Sequence, residues 1–557
     1  MQIYNLAATS APLDFFNEKL NAIKLPVLQV EQKAYVARGT TGETDRDRVR
    51  AFANPVSGDA HFVPNFADLV NAPKPEQPVS RESIQSVARA ALSDVRFIPK
   101  DATQLQFGDP ISVMGAATTR ATATPDTATA RTEPSVVMTM IPAIRMASGL
   151  PVYGVGSHAV VSLANDGSIV GALRRWRTAS LGNRIKTSIA AEQVRANIER
   201  QLRPYITATD IGATVDRIEL AYYDGNANYL QPVYYFEATI EPANSEASSI
   251  KVAGYVPIGK LLEPIPDLAA TGGTGGTTTS AKTPIVPAAP TQASQQVATG
   301  FLGNPADITL GEYVNQDWPN NSGYVKMANA FLSGLTALDA QFPGLQPAIS
   351  RTQWDIAYPS EVVGPASRFY LNAVNIAYTV PHGAWLVNTT KSNDAESWHV
   401  KDIGTGGNPG FGAAAGGALA TWIIMSCEVI PSVYDRQNEA KGGADPSEAF
   451  TPWWPVFQGL HNAIGFRTIM LYPEDGLQHS FALDASLGGD LTAAWFHELA
   501  ANYPNPGTYH DKNLQGAPLV HQNRGSTMVD ARDLGQSIYN VSPQSASTTL
   551  WNFWMDN

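Results

Sequence analysis

The sequence predicts a mixed α/β chain, with α+β modules of helix plus antiparallel sheet preceding an α/β domain built on a mainly parallel sheet. Three observations carry this. The N-terminal half repeats a unit of one helix followed by about three strands, and the C-terminal half alternates short apolar runs with helical patterns. Between them, residues 265–300 are dominated by Gly, Thr, Ser, Ala and Pro and can bury no apolar face, so they read as a flexible linker. The division is therefore 1–264, 265–300 and 301–557. Of the 11 tryptophans, only Trp176 precedes the linker.

The bulk numbers agree. A chain of 557 residues is too long for one ordinary core, and 44% hydrophobic with 16% charged residues excludes a disordered chain or a coiled coil. A net charge of -12 argues against nucleic acid or an anionic membrane surface as the main partner. The one cysteine, Cys427, can form no intramolecular disulfide and no Cys-based zinc site, which leaves the redox compartment open. The opening MQIYNLAATSAPLDFF lacks a basic region and a long apolar core, so no signal peptide is visible and localisation stays open. No run of 18 apolar residues occurs, so no membrane span is expected.

In the first unit, RESIQSVARAALSDV (Arg81–Val95) has helical spacing, and PSVVMTMIPAI, LPVYGVGSHAVVSLA and SIVGALRRWR read as strands. Asn165-Asp166-Gly167 between the last two is a hairpin signal. In the second, AAEQVRANIERQL (Ala190–Leu202) precedes the strands RIELAYYD, QPVYYFEATI and SIKVAGYVPI. A weaker boundary, or a long loop within one domain, is expected around 100–132, where DATQLQFGDP and TTRATATPDTATARTEP interrupt the pattern. These units, with the phrases LPVYG and LQPVYYFEA, resemble the PepSY-type modules of bacterial protease propeptides, which implies a propeptide, inhibitory or targeting role.

After the linker, ITLGEYVN (Ile308–Asn315) reads as a strand and YVKMANAFLSGLTALDAQF (Tyr324–Phe342) as an amphipathic helix. NAVNIAYTV (Asn372–Val380), LATWIIM (Leu419–Met425) and LHNAIGFRTIML (Leu460–Leu471) are continuous apolar runs, as strands buried on both faces require. LTAAWFHELAANY (Leu491–Tyr503) reads as a helix. The first run ends in Pro381-His382-Gly383 and the second in Ser426-Cys427-Glu428. Loops leaving the carboxyl ends of neighbouring parallel strands meet in one crevice. A thiol and an imidazole meeting there are the minimum of a cysteine nucleophile system, with the backbone N–H groups of Gly383 and Cys427 as oxyanion donors.

A hydrophobic strand ending in His-Gly, then a second ending in a small residue plus Cys, resembles the caspase-like clan of cysteine peptidases, which includes caspases, metacaspases, legumain, gingipain and clostripain. The motif reads NIAYTVPHGAW…LATWIIMSCEV, within roughly residues 305–505. The resemblance implies a caspase-like α/β sandwich, Cys427 as nucleophile, His382 as general acid/base, no cofactor or metal, and a polypeptide substrate. Met425 stands where metacaspases carry an Asp that shapes an Arg/Lys pocket, so that specificity does not carry over. Gly404–Gly417 is expected to be a mobile segment beside the cleft, and Pro452–Thr468 a source of substrate-binding walls.

Other signals weigh less. His497-Glu498 lacks the second histidine of a zinc-protease helix, since Ala501 stands in its place. Trp453, Trp454, Trp551 and Trp554 suggest core packing before a sugar-stacking platform. His399, His461, His479, His510 and His521 show no ligand spacing. The expected function is a caspase-like cysteine endopeptidase, with processing at 265–300 releasing the C-terminal domain. The alternatives are a non-catalytic secreted binding or structural protein on the same scaffold, and a carbohydrate-active protein.

Overall fold

The computed structural model describes residues 1–38, 49–73, 79–120, 128–186, 189–206, 212–241, 249–268, 308–314, 322–356, 359–389, 397–440, 445–472 and 475–556. Helix α1 (Arg81–Leu92) begins where the Ser80 side chain accepts the Ser83 N–H, and it buries Ile84, Ala88, Ala91 and Leu92 along one stripe. That stripe lies on an antiparallel sheet. Its strands are β1 (Ala60–Phe62), β2 (Ile111–Arg120), β3 (Ser135–Ala147), β4 (Leu150–Tyr153), β5 (Ser157–Leu163) and β6 (Ile169–Trp176). The expected hairpin joins β5 to β6, with the Ala164 N–H on the Ser168 carbonyl at 3.0 Å and Gly167 at φ 83°. The stretch 100–132 supplies β2 and the short strand Gln104–Phe107, both paired to β3; its residues 121–127 lie outside those described.

The second unit follows the same plan. Helix α2 (Ala191–Leu202) buries Val194, Ile198 and Leu202, and the antiparallel strands β7 (Gly212–Tyr223), β8 (Tyr229–Glu241) and β9 (Ile250–Pro257) supply Phe236, Ala238, Ile240 and Val252 to the same core. Strand β4 joins the units, antiparallel to β3 and parallel to β7. Of the linker, 269–300 lies outside the described residues; just before it, Asp267 pairs with Arg200 at 2.6 Å.

The C-terminal half contains β10 (Ile308–Val314), helix α3 (Ser322–Gln341), β11 (Ile349–Ile356), β12 (Ile376–Val380), β13 (Thr421–Ile424), β14 (Asn462–Phe466) and β15 (Leu471–Tyr472). Then come helices α4 (Asp475–Ser486) and α5 (Leu491–Asn502) and strands β16 (Gly525–Asp530) and β17 (Thr549–Met555). The order β11-β10-β12-β13-β14 is parallel throughout, and β16 and β17 continue it antiparallel. The parallel strands are apolar on both faces because both are covered. Ile376, Tyr378, Val380 and Ile423 pack with Phe331, Phe481 and Trp495; Ala377, Trp422 and Ile424 pack with Trp398, Phe411 and Trp453.

The two halves share one sheet. Strand β17 pairs on its far edge with β2, Thr549–Met555 running against Val113–Thr119. Strand β9 also pairs, in parallel, with β15. A buried ion group closes the joint. Arg175 of β6 donates to both Glu498 oxygens of α5, at 2.6 and 2.7 Å, and to Asp484 of α4 at 2.8 Å, while His61 Nδ1 lies 3.2 Å from Asp484. Burial pushes both carboxyls up. At Asp484 the charges of Arg175 and His61 outweigh burial and hold it low; Glu498, beside that charge, stays well above the usual range. Among the described residues no helix is long and apolar enough to cross a membrane, which says nothing of strands.

Candidate functional site

Strands β12 and β13 are neighbours in parallel register, Thr379 opposite Ile424, and the Met425 N–H extends the ladder to the Thr379 carbonyl at 2.8 Å. The chain leaves both strands at the same sheet edge, so Pro381-His382-Gly383 and Ser426-Cys427-Glu428 emerge side by side. They touch through Gly383. A Cβ at that position would overlap Ser426 Oγ and the Cys427 carbonyl and would press on the Cys427 nitrogen, so glycine is what allows the approach. His382 opens a short hairpin, His382–Ala384 against Val387–Thr389, which fixes the loop. The structure thus seats Gly383, next to His382 in the chain, against Ser426-Cys427.

The thiol is covered. Cys427 is 6% exposed, with the Met470 N–H 3.5 Å from its Sγ. Burial pushes its pKa up to about 12; the Met470 N–H opposes this and the charge of Glu428 adds to it. A thiol at that value is neutral at pH 7, whereas a cysteine nucleophile attacks as the thiolate. Glu428 adopts φ 54°, a left-handed conformation that costs an ordinary residue about 1–2 kcal/mol. Three contacts hold it there. Its N–H meets the Thr468 carbonyl at 3.3 Å, and its carboxylate accepts from Tyr509 Oη at 3.0 Å and Asn513 Nδ2 at 3.3 Å.

Sequence reasoning missed Glu428, Met470 and Tyr509. No local pattern marks them, since 468–470 and 509–513 reach Cys427-Glu428 only through the tertiary fold. Two expectations are corrected. Gly404–Gly417 is an ordered strap on 455–459: Phe411 is fully buried and its N–H meets the Val456 carbonyl at 2.8 Å. Trp453 and Phe457 belong to the core under that strap, so 452–457 builds packing in place of a substrate wall.

The signals set aside have structural uses. His497 Nε2 lies 2.6 Å from Ser162 Oγ, burial pushes its pKa down to about 3, and Glu498 holds Arg175. Trp453, Trp454 and Trp554 are buried, and Trp551 stacks on Phe553 at 5.4 Å. No group of three His, Cys, Asp or Glu residues placed to hold a metal ion occurs among the described residues.

No protein-family model and no curated protein matches the chain. Among solved structures it is similar to an uncharacterized protein from Eubacterium rectale ATCC 33656, with 11% identity and a TM-score of 0.26 over 46% of this chain and 84% of that one. It is also similar to the Bacillus megaterium YpeB C-terminal domain, with 12% identity and a TM-score of 0.18 over 45% of this chain and 94% of that one.

Proposed function

We propose that the chain is a caspase-like cysteine endopeptidase whose thiol is held neutral and covered at rest. The observation that carries this is the seating of Gly383 on Ser426-Cys427 at the ends of two adjacent parallel strands. Once uncovered, the Cys427 thiol passes its proton to His382 and Sγ attacks the peptide carbonyl carbon. The N–H groups of Gly383 and Cys427 would donate to the developing oxyanion. The intermediate collapses to a thioester as His382 protonates the leaving amine. Water, with His382 as base, then releases the acid and restores the thiol. The substrate is a polypeptide, and neither metal nor cofactor enters.

The N-terminal half is an integral part of this enzyme. Release of the C-terminal domain by a cut within 265–300 would require parting β17 from β2 and β9 from β15 and opening the Arg175 group, so a cut chain stays one particle. A second reading is favoured by one observation, the burial of Cys427: a non-catalytic protein on the same scaffold.

Iodoacetamide alkylation of Cys427 across pH 5–9, with and without His382→Ala, separates them. The resting enzyme shows slow alkylation that follows a high thiol pKa. Addition of a peptide aldehyde series, which needs an accessible thiol, should reveal one member that forms a hemithioacetal in wild type and not in His382→Ala. If no aldehyde or peptide substrate engages Cys427 and His382→Ala changes nothing, the scaffold reading stands.

A further inference from the structure

The sheet of the second unit carries a face that its core does not use. Register sets Arg217 opposite Glu237, Glu219 opposite Tyr235, and Tyr235 opposite Tyr255, so these side chains share one side of β7–β9. The other side, with Phe236, Ala238 and Ile240, packs under α2. The outer face of an antiparallel sheet is ordinarily polar because water covers it. Here Tyr235 and Glu237 are each 5% exposed, and the face turns to a cavity of about 340 Å³. The β4 segment and the stretch Asn502–Gly507 close its other walls. This volume lies within the range of small-ligand sites, and His382, Gly383 and Cys427 are not among its walls.

The polar groups are fixed before any ligand arrives. Tyr153 Oη donates to Glu219, and Tyr235 Oη donates to Glu237 at 2.8 Å. Arg217 reaches Tyr153 Oη at 3.0 Å, with Glu219 at 3.1 Å and Glu237 at 3.3 Å. The Arg217 guanidinium also lies over the Tyr235 ring at 5.1 Å, and Tyr235 stacks on Tyr153 at 4.3 Å. The charges balance, since Arg217 and Lys326 offset Glu219 and Glu237, and Asp267 is held by Arg200. A charged ligand would upset that balance. A neutral ligand with paired hydroxyls suits it, because carboxylate and guanidinium are planar groups that can meet two hydroxyls at once. Tyrosine rings suit the C–H face of a sugar for the same reason that they suit any flat apolar face.

We infer that this cavity is a binding site for a neutral oligosaccharide. The inference is independent of the peptidase reading. Saturation-transfer NMR and calorimetry on the full chain with chitotriose, cellotriose and maltotriose test it. At least one sugar should bind with a Kd of about 10 mM or tighter, and Tyr255→Ala and Glu219→Gln should each weaken it about tenfold. Glu219→Gln is isosteric, so it stays informative if Tyr255→Ala fails to fold. Cys427 alkylation should not change in either variant. Absence of binding by all three sugars, binding indifferent to both variants, or occupation by the proline-rich peptide TPIVPAAPTQ or by trilysine in their place overturns the inference.

Discussion

Arg175→Met tests the joint between the halves. The guanidinium makes three charged hydrogen bonds of 2.6–2.8 Å to Glu498 and Asp484, all in the interior. Methionine keeps much of the volume and removes the cation, leaving a buried carboxylate beside a carboxyl. Breaking a buried pair by removing one partner costs about 3–5 kcal/mol, and that is the loss expected at pH 7. A further Asp484→Asn change removes the stranded charge and should recover most of it. The pH dependence has a definite sign. Without Arg175 both carboxyls have folded pKa values raised by burial, so their contribution is present at low pH and is lost as pH rises through those values. The deficit therefore narrows from pH 8 to pH 5. Urea unfolding followed by tryptophan emission reports the loss, because all but one tryptophan lie in the C-terminal half. In parallel, a specific protease site placed within 270–300 and cut should leave the wild-type halves co-eluting. A loss below about 1 kcal/mol, or separation of the wild-type halves after the cut, refutes the joint.

Gly383→Ala should push the His382 loop off Ser426-Cys427, costing about 2 kcal/mol and raising the alkylation rate at pH 8.5; an unchanged rate would show that the loops do not meet there. Tyr509→Phe removes the acceptor of the Ile469 N–H (3.2 Å) and the donor to Glu428 together. Iodoacetamide should then reach Cys427 about tenfold faster, and a rate equal to wild type would mean that Tyr509 does not hold the cover. Glu312, buried beside Arg351, has its pKa raised to about 7 by burial, against the pull of that arginine. A carboxyl so raised stabilises the fold at low pH and loses about 3 kcal/mol of that contribution as pH climbs from 4.5 through 7. Glu312→Gln should flatten this part of the stability profile, as denaturant midpoints at pH 5 and 8 would report.

Much of the fold was legible because its signals are local. Ile84, Ala88, Ala91 and Leu92 are spaced to share one helix face, and a serine precedes the helix. The double-sided burial of Trp422, Ile423 and Ile424 could be read from an unbroken apolar run. The pairing of 549–555 with 113–119 had no such signal, since periodicity says which face of a strand is apolar and nothing about which strand lies beside it. One clue went unused. Arg174 and Arg175 are adjacent in a strand and must point to opposite faces, so in a sheet covered on both sides each needs a buried partner. The partners proved to be backbone carbonyls of Ser10, Gly58 and Phe97 for Arg174, and Asp484 and Glu498 for Arg175.

The site divides in the same way. That the two strand ends lie side by side was legible, because strand ends and a His-Gly pair are properties of short segments; the burial of the thiol was not. The thiol's pKa depends on its burial, and the segment 468–472 reaches Sγ through the Met470 N–H. This segment is tied down by the Ile469 N–H on Tyr509, by the Leu471 N–H on Asn523 Oδ1 at 2.8 Å, and by the pairing of β15 with β9. The last of these ties comes from the N-terminal half and spans only Lys251–Val252 against Leu471–Tyr472. Uncovering Cys427 thus means moving a segment whose strand pairing with that half covers two residues, while the main joint, β17 on β2 with Arg175, lies elsewhere and can stay closed. Access to the thiol and cohesion of the two halves are held by different contacts, so one can yield without the other.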